Sequence, residues 1–202
     1  MKLIVGLGNP GKEYEKTLHN AGFFAIDALS ALLKDHEHAE HLGTERHALY
    51  EGDDFWFSGE SGARERLFLQ KPLTFMNESG RAVAERIGRM GRDFDRARDL
   101  WVIHDDGDIE LGNVRVDSDK QAAGHRGIAS IIEQFGTKAF VRYRIGIRPL
   151  GDVRRTEEFV LKKPRSGDRE RFQEGIQKTA QGIVIALEHG IPKAQMFLHT
   201  KK

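Results

Sequence analysis

The segment KLIVGLGNPG (residues 2–11) joins a short apolar run to a turn carrying Gly6, Gly8 and Gly11. Lys2–Leu7 reads as a buried strand ended by its glycines. The period then changes: Phe23–Lys34 sets Phe23, Ile26, Leu29 and Leu33 at three- and four-residue steps, the mark of an amphipathic helix. His36–Leu42 is polar and expected as loop. Arg46–Glu51 and Phe55–Ser58 are expected as strands joined by a hairpin at Gly52-Asp53-Asp54. Further strands are expected at Arg66–Gln70 (stopped by Pro72), Leu100–His104, Val114–Val116 (an edge) and Val141–Ile147. Helices are expected over Asn77–Met90, Ile128–Phe135 and Arg169–Glu188. Alternation of this kind predicts an α/β fold: one single domain over residues 1–202, three layers, with a mixed central sheet flanked by helices. No repeat, linker or low-complexity tract interrupts it.

The three glycines match the spacing G-x-G-x-x-G of a dinucleotide-binding turn, but their context does not. Pro10 stands where an amide donor is wanted and has none. The polar stretch KEYEKTLHN separates the glycines from the helix, and Asp27, at the distance of a ribose-binding acid, lies within that helix. The turn reads better as one that aims polar side chains outward from a strand's C-terminal end, where α/β sheets bind ligands. Asn9 and the pair His19-Asn20 would flank one crevice.

Composition removes several chemistries. The 202 residues contain no cysteine, which excludes thiolate nucleophiles, disulfides and Cys-ligated zinc. With 39% hydrophobic and 31% charged residues the chain is not of the disordered class. No apolar run approaches the roughly 18 residues of a membrane span, and the N-terminus lacks the features of a signal peptide, so a cytoplasmic location is expected. Net charge is only +1, yet Val141–Arg165 holds eight basic residues (Arg142, Arg144, Arg148, Arg154, Arg155, Lys162, Lys163, Arg165) against three acidic ones. Such a stripe is either a solvated face or a nucleic-acid footprint.

Three more stretches place polar residues at the end of an apolar run: KPLTFMNESG, VIHDDGDIELG and AAGHRG. In a parallel sheet these ends share a side, so they can converge on His19. A histidine held by a carboxylate is a general base, because the carboxylate fixes its tautomer and offsets the imidazolium charge. His19 with Asp105 is the candidate pair. With no G-x-S-x-G elbow and no cysteine, the simplest nucleophile is an activated water, which the amides of Asn9 and Asn77 can hold or whose oxyanion product they can stabilise. The acidic cluster Asp105, Asp106 and Asp108 is also compatible with a solvated turn or a magnesium site. HEHAEH (residues 36–41) matches neither H-E-x-x-H nor H-x-x-E-H, so no metal is expected there.

Taken together and in order, GLGNPGKEYEKTLHNAGF, KPLTFMNESG, VIHDDGDIELGNVRV, GHRGIASII, RYRIGIRP and FVLKK resemble the bacterial peptidyl-tRNA hydrolase family, from Leu3 to about Lys163. The resemblance implies a monomeric hydrolase without cofactor or protein partner. It would cut the ester between a nascent peptide and the terminal ribose of tRNA. It implies that His19 is the general base, that Asp105 stabilises its basic form, and that Asn9 separates blocked from free amino groups. Tyr14, Phe75 and Asn77 would hold the tRNA acceptor end and the peptide, an end suited to aromatic stacking. The basic stripe then has a partner in tRNA phosphates.

The sequence departs from the family where G-G-H-N-G is usual and Ala-Gly-His-Arg-Gly stands instead. Arg126 is charged and donates only, so the substrate role of the usual asparagine is not carried over to it. Leu18 occupies a position where a basic residue is common. Arg126 motivates an alternative: a protein of the same fold that binds RNA without cutting it.

Overall fold

The computed structural model describes residues 1–59, 62–91 and 93–199; residues 200–202 of the expected domain lie outside the described residues. Seven strands form one sheet: β1 (Lys2–Gly6), β2 (Ala39–Arg46), β3 (Tyr50–Ser58), β4 (Arg64–Pro72), β5 (Leu100–Glu110), β6 (Val114–Ser118) and β7 (Val141–Arg148), in the order β2-β3-β4-β1-β5-β7-β6. β4, β1, β5 and β7 run parallel, while β2, β3 and β6 pair antiparallel, which makes the sheet mixed as expected. The helices are α1 (Ala21–Lys34), α2 (Ser79–Gly88), the single turn α3 (Arg96–Asp99), α4 (Arg126–Phe135), α5 (Arg169–His189) and α6 (Ile191–His199).

The central strands are buried on both faces, and their alternation divides the core into two layers. Leu3 and Val5 of β1 and Val102 of β5 pack with Val83 of α2 and with Ile128 and Ile131 of α4. Ile4, Trp101 and Ile103, pointing the other way, pack with Ile26 and Leu29 of α1 and with Phe172 and Ile176 of α5. Helix, sheet and helix thus make the expected three layers.

Several boundaries differ from the expectation. Residues 39–42 open β2 rather than a loop. This strand lies at a sheet edge, exposed along much of its length, so it carries polar residues without a clear period. Gly52-Asp53-Asp54 is not the hairpin turn but part of β3, and the reversal occurs at residues 47–49. Gly52 is required there because a Cβ would lie 1.7 Å from the Leu69 carbonyl oxygen. Asp53 is held in the strand by the hydroxyls of Ser30 and Thr44, each 2.5 Å away. The helix expected over Asn77–Met90 is a 3-10 turn, Met76–Glu78, followed by α2. β5 runs six residues past His104, so Asp105 and Asp106 belong to a strand and face opposite sides of it. The expected edge, β6, is confirmed, and α6, which was not foreseen, covers it. Gln195 Nε2 donates to the Val116 carbonyl at 3.1 Å, and His199 Nε2 accepts the Val116 N–H at 3.1 Å.

Candidate active site

The cleft lies at the C-terminal ends of β1 and β5, and its walls are built by local constraints. Past β1, Leu7 still donates to the Ile103 carbonyl at 2.9 Å, which holds the following turn against β5. Asn9 then accepts the Met76 N–H on its Oδ1 at 2.8 Å. That bond assigns the amide: Oδ1 is occupied, and Nδ2 is the group left to donate. His19 sits in a 3-10 turn, Leu18–Asn20, whose backbone is tied to a distant segment. Leu18 N–H donates to the Lys162 carbonyl at 3.0 Å and His19 N–H to the Val160 carbonyl at 2.9 Å.

His19 Nδ1 lies 2.8 Å from Asp105 Oδ1, both groups being buried. The same carboxylate oxygen lies 3.1 Å from His125 Nε2. His125 caps α4 by accepting the Ile128 N–H on its Nδ1 at 3.3 Å, so its proton sits on Nε2 and is donated to Asp105. Burial works to raise the Asp105 carboxyl. The favourable interaction with the His19 and His125 rings, through the charge each gains on protonation and through the hydrogen bonds from both, outweighs it and holds the group well below the usual carboxylate range. His104 packs edge-on against His125 with ring centroids 4.7 Å apart. Burial, and after it the repulsion that a second protonated ring beside His125 would bring, pushes His104 well below the ordinary imidazole range. Its Nδ1 donates to the Asp105 carbonyl at 2.8 Å, while Nε2 is buried without a partner.

A cleft of about 440 Å³ opens over these groups, and Asn9, Tyr14, His19, Phe75, Asn77 and Asp105 all line it. The six residues expected to carry catalysis and substrate binding therefore line one cleft. Phe75 is 57% exposed, an unusual state for phenylalanine and a free face for stacking. Asn77 is exposed beside it, and Arg126, the first residue of α4, faces the same cleft. The acidic cluster does not converge on one cation. Asp105 faces the two histidines, Asp106 pairs with Arg144 at 2.7 Å, and Asp108 is exposed. Among the described residues, His19, Asp105 and His125 offer donor atoms within 4.8 Å of one another, and those atoms are already joined by two hydrogen bonds.

Two contributors were not assigned from sequence. His125 lies in a stretch that was singled out, yet its link to Asp105 depends on the capping geometry of α4. Asn20 binds the Asn9 backbone, and only its adjacency to His19 hinted at a role.

Residues 3–202 match the sequence model of the family described as peptidyl-tRNA hydrolase. The peptidyl-tRNA hydrolase of Thermodesulfovibrio yellowstonii is 36% identical over 197 residues, covering 96% of each chain. That of Lactococcus lactis subsp. cremoris is 39% identical over 189 residues, covering 94% of each. Among solved structures, peptidyl-tRNA hydrolase from Acinetobacter baumannii superposes with a TM-score of 0.78 at 27% identity, covering 100% of this chain and 96% of that one. With the match running through both ends of the cleft-bearing sheet and nearly the full length of each relative, the chain belongs to the peptidyl-tRNA hydrolase family.

Proposed function

We propose that this chain hydrolyses the ester bond of peptidyl-tRNA, releasing peptide and free tRNA, with His19 as general base. The observation that carries the reading is the 2.8 Å contact between His19 Nδ1 and Asp105. It commits the proton to Nδ1 and leaves Nε2 basic on a ring that lines the cleft. A water gives a proton to Nε2 as its oxygen bonds to the ester carbonyl carbon. The carbonyl oxygen becomes the oxyanion of a tetrahedral intermediate. Collapse breaks the bond to the ribose oxygen, which takes the proton from Nε2 and leaves as a hydroxyl. Asp105 offsets the imidazolium charge between these steps.

Asn9 presents Nδ2 as a donor, which suits the carbonyl of a blocked amino group and repels the ammonium of a free one. Asn77 positions the water or the ester carbonyl. Tyr14 and Phe75 stack the bases of the acceptor end, which is supported by the exposure of Phe75. The wider reading is a monomer acting in the cytoplasm as a single domain over residues 1–202. No helix among the described residues is long and apolar enough to cross a membrane.

The test is cleavage of N-acetyl-aminoacyl-tRNA by His19→Ala. Loss of a general base costs about 10²–10⁴-fold. A variant with undiminished turnover would refute this assignment. The unblocked aminoacyl-tRNA should be a poor substrate for the wild type, and equal cleavage of both would remove the role of Asn9.

A further inference from the structure

Arg148 ends β7 and belongs to the basic stripe, yet its guanidinium is turned into the fold. Nε donates to the Gly107 carbonyl of β5. Nη1 donates to the carbonyls of Asp152 and Arg154 at 3.0 and 2.9 Å, and Nη2 reaches Thr156 Oγ1 at 3.5 Å. The same group lies over the Phe159 ring, 5.6 Å from its centroid. One side chain thus joins the strand that carries Asp105 to the segment that follows β7. Residues 149–155 form no helix or strand, so their carbonyls have no ladder to pair with. A planar fork with five donors is suited to gathering them.

From there the segment runs back to the catalytic base. Thr156–Glu158 is a 3-10 turn, and the Val160 N–H donates to the Thr156 carbonyl at 3.0 Å. Phe159 is buried, and the carbonyls of Val160 and Lys162 beyond it accept the N–H groups of His19 and Leu18. Gly107 makes the other contact. A Cβ there would lie 2.1 Å from Thr156 Oγ1, so β5 and the segment touch directly. Gly107, Thr156 and Val160 all line the cleft, whereas Arg148 does not. The His19 turn therefore leans on a strap whose far end is fastened by one guanidinium.

We propose that Arg148 is a positioning residue for the reaction: by fastening residues 152–160 to the end of β5 it fixes the backbone of His19 opposite the ester. The proposal rests on the hydrolase reading above. Asp105 aims the His19 ring through Nδ1, and the strap holds the main chain from which that ring extends. Both are needed, because a displacement of about 1 Å at a reacting group can cost about 10²-fold in rate. Arg148 touches neither substrate nor His19, so its contribution is one of geometry.

The experiment is amide hydrogen exchange read by NMR, alongside steady-state cleavage of N-acetyl-aminoacyl-tRNA. It compares the wild type, Arg148→Lys, Arg148→Gln and the control Arg64→Gln. Lysine keeps the charge and glutamine keeps an amide donor, so each variant removes the fork and little else. Arg64 is exposed on β4 and pairs with Glu40 at 2.7 Å. In both Arg148 variants the Leu18 and His19 amides should exchange about tenfold faster or more. The amides of His47 and Leu73, bonded to Tyr50 and Leu49 on the far side of the sheet, should keep their wild-type rates. In the same variants kcat should fall by about 10–10²-fold with KM within about twofold of the wild type. The control should match the wild type throughout. Unchanged exchange at Leu18 and His19 overturns the proposal. Equal acceleration at His47 and Leu73 does so too, since it would make Arg148 a general stabiliser, and so does faster exchange with undiminished kcat. A wild type with the expected exchange pattern in its variants but no turnover would remove the hydrolase reading and leave Arg148 as the fastening of the His19 turn. One that cleaves, with exchange the variants do not alter, would do the reverse.

Discussion

Asn20 holds Asn9 from both sides of its peptide. Its Oδ1 accepts the Asn9 N–H at 2.9 Å and its Nδ2 donates to the Asn9 carbonyl at 3.0 Å, both bonds being buried. A side-chain amide here replaces a neighbouring strand for a residue that has left the sheet. Asn20→Ala removes both partners and leaves two buried backbone groups unpaired, at a cost of about 1–3 kcal/mol. Urea unfolding should register that loss, and kcat/KM on N-acetyl-aminoacyl-tRNA should fall about tenfold or more as Asn9 loses its aim. Wild-type values in both measurements would show that the Asn9 turn holds itself.

His125 shares the Asp105 oxygen with His19 and so helps to fix that carboxylate. His125→Phe keeps a ring but withdraws both the hydrogen bond to Asp105 and the cap on the Ile128 N–H, and should destabilise by about 1–3 kcal/mol in urea unfolding. Cleavage of N-acetyl-aminoacyl-tRNA should also slow, because Asp105 keeps only one of its two ring partners. Wild-type stability and turnover in the variant would make His125 a packing residue only.

Gly22 lets α1 touch the sheet directly behind the His19 turn. A Cβ there would lie 2.3 Å from the Leu7 nitrogen, 2.5 Å from its oxygen and 2.6 Å from the Ile103 oxygen, all backbone atoms that cannot swing aside. Gly22→Ala should destabilise by about 1–3 kcal/mol, the range of overpacking. It should also lower activity, since the displaced helix begins two residues after His19. An alanine variant with unchanged urea midpoint would contradict the close approach.

Asp53 links stability to acid. Burial works to raise it, but hydrogen bonds from Ser30, Thr44 and His41 and the charge of Lys34 outweigh that and bring it from 3.8 down to about 2. A carboxyl depressed on folding contributes stability above its unfolded value and loses it as pH falls through the folded one. The contribution of Asp53 should thus be complete above about pH 4 and fade toward pH 2. Asp53→Asn should be less stable than wild type at pH 6, and the difference should narrow on acidification through that window. A difference that is constant with pH would refute the linkage.

The layered fold was legible because β1 and β5 begin as apolar runs, β7 alternates, and α1 and α5 are periodic, signals set by burial on a rigid sheet. The β2–β3 hairpin was misplaced because Gly52-Asp53-Asp54 has turn chemistry. Its glycine answers to the Leu69 carbonyl on the neighbouring strand β4, which local reading cannot see. Asp105 was expected after its strand and lies within it, yet the pairing with His19 survived, since convergence at the parallel strand ends does not depend on where β5 stops. His125 and Asn20 escaped assignment because each acts on another residue through a hydrogen bond that spans a cap or a turn, with no periodicity or motif to announce it.

The junction of α6 with β6 governs what the molecule can join. An unpaired outer strand offers its amides to any extended chain that drifts past, and pairing of this kind leads to aggregates. Here Gln195 and His199 already occupy Val116, so the tail of the chain denies that berth to strangers. The lock needs a neutral imidazole, because a charged one would turn a second donor toward the Val116 amide. Burial, aided by the charge of Arg115, lowers the readiness of His199 to take up a proton, so the latch stays closed into acid where an ordinary histidine would have released it.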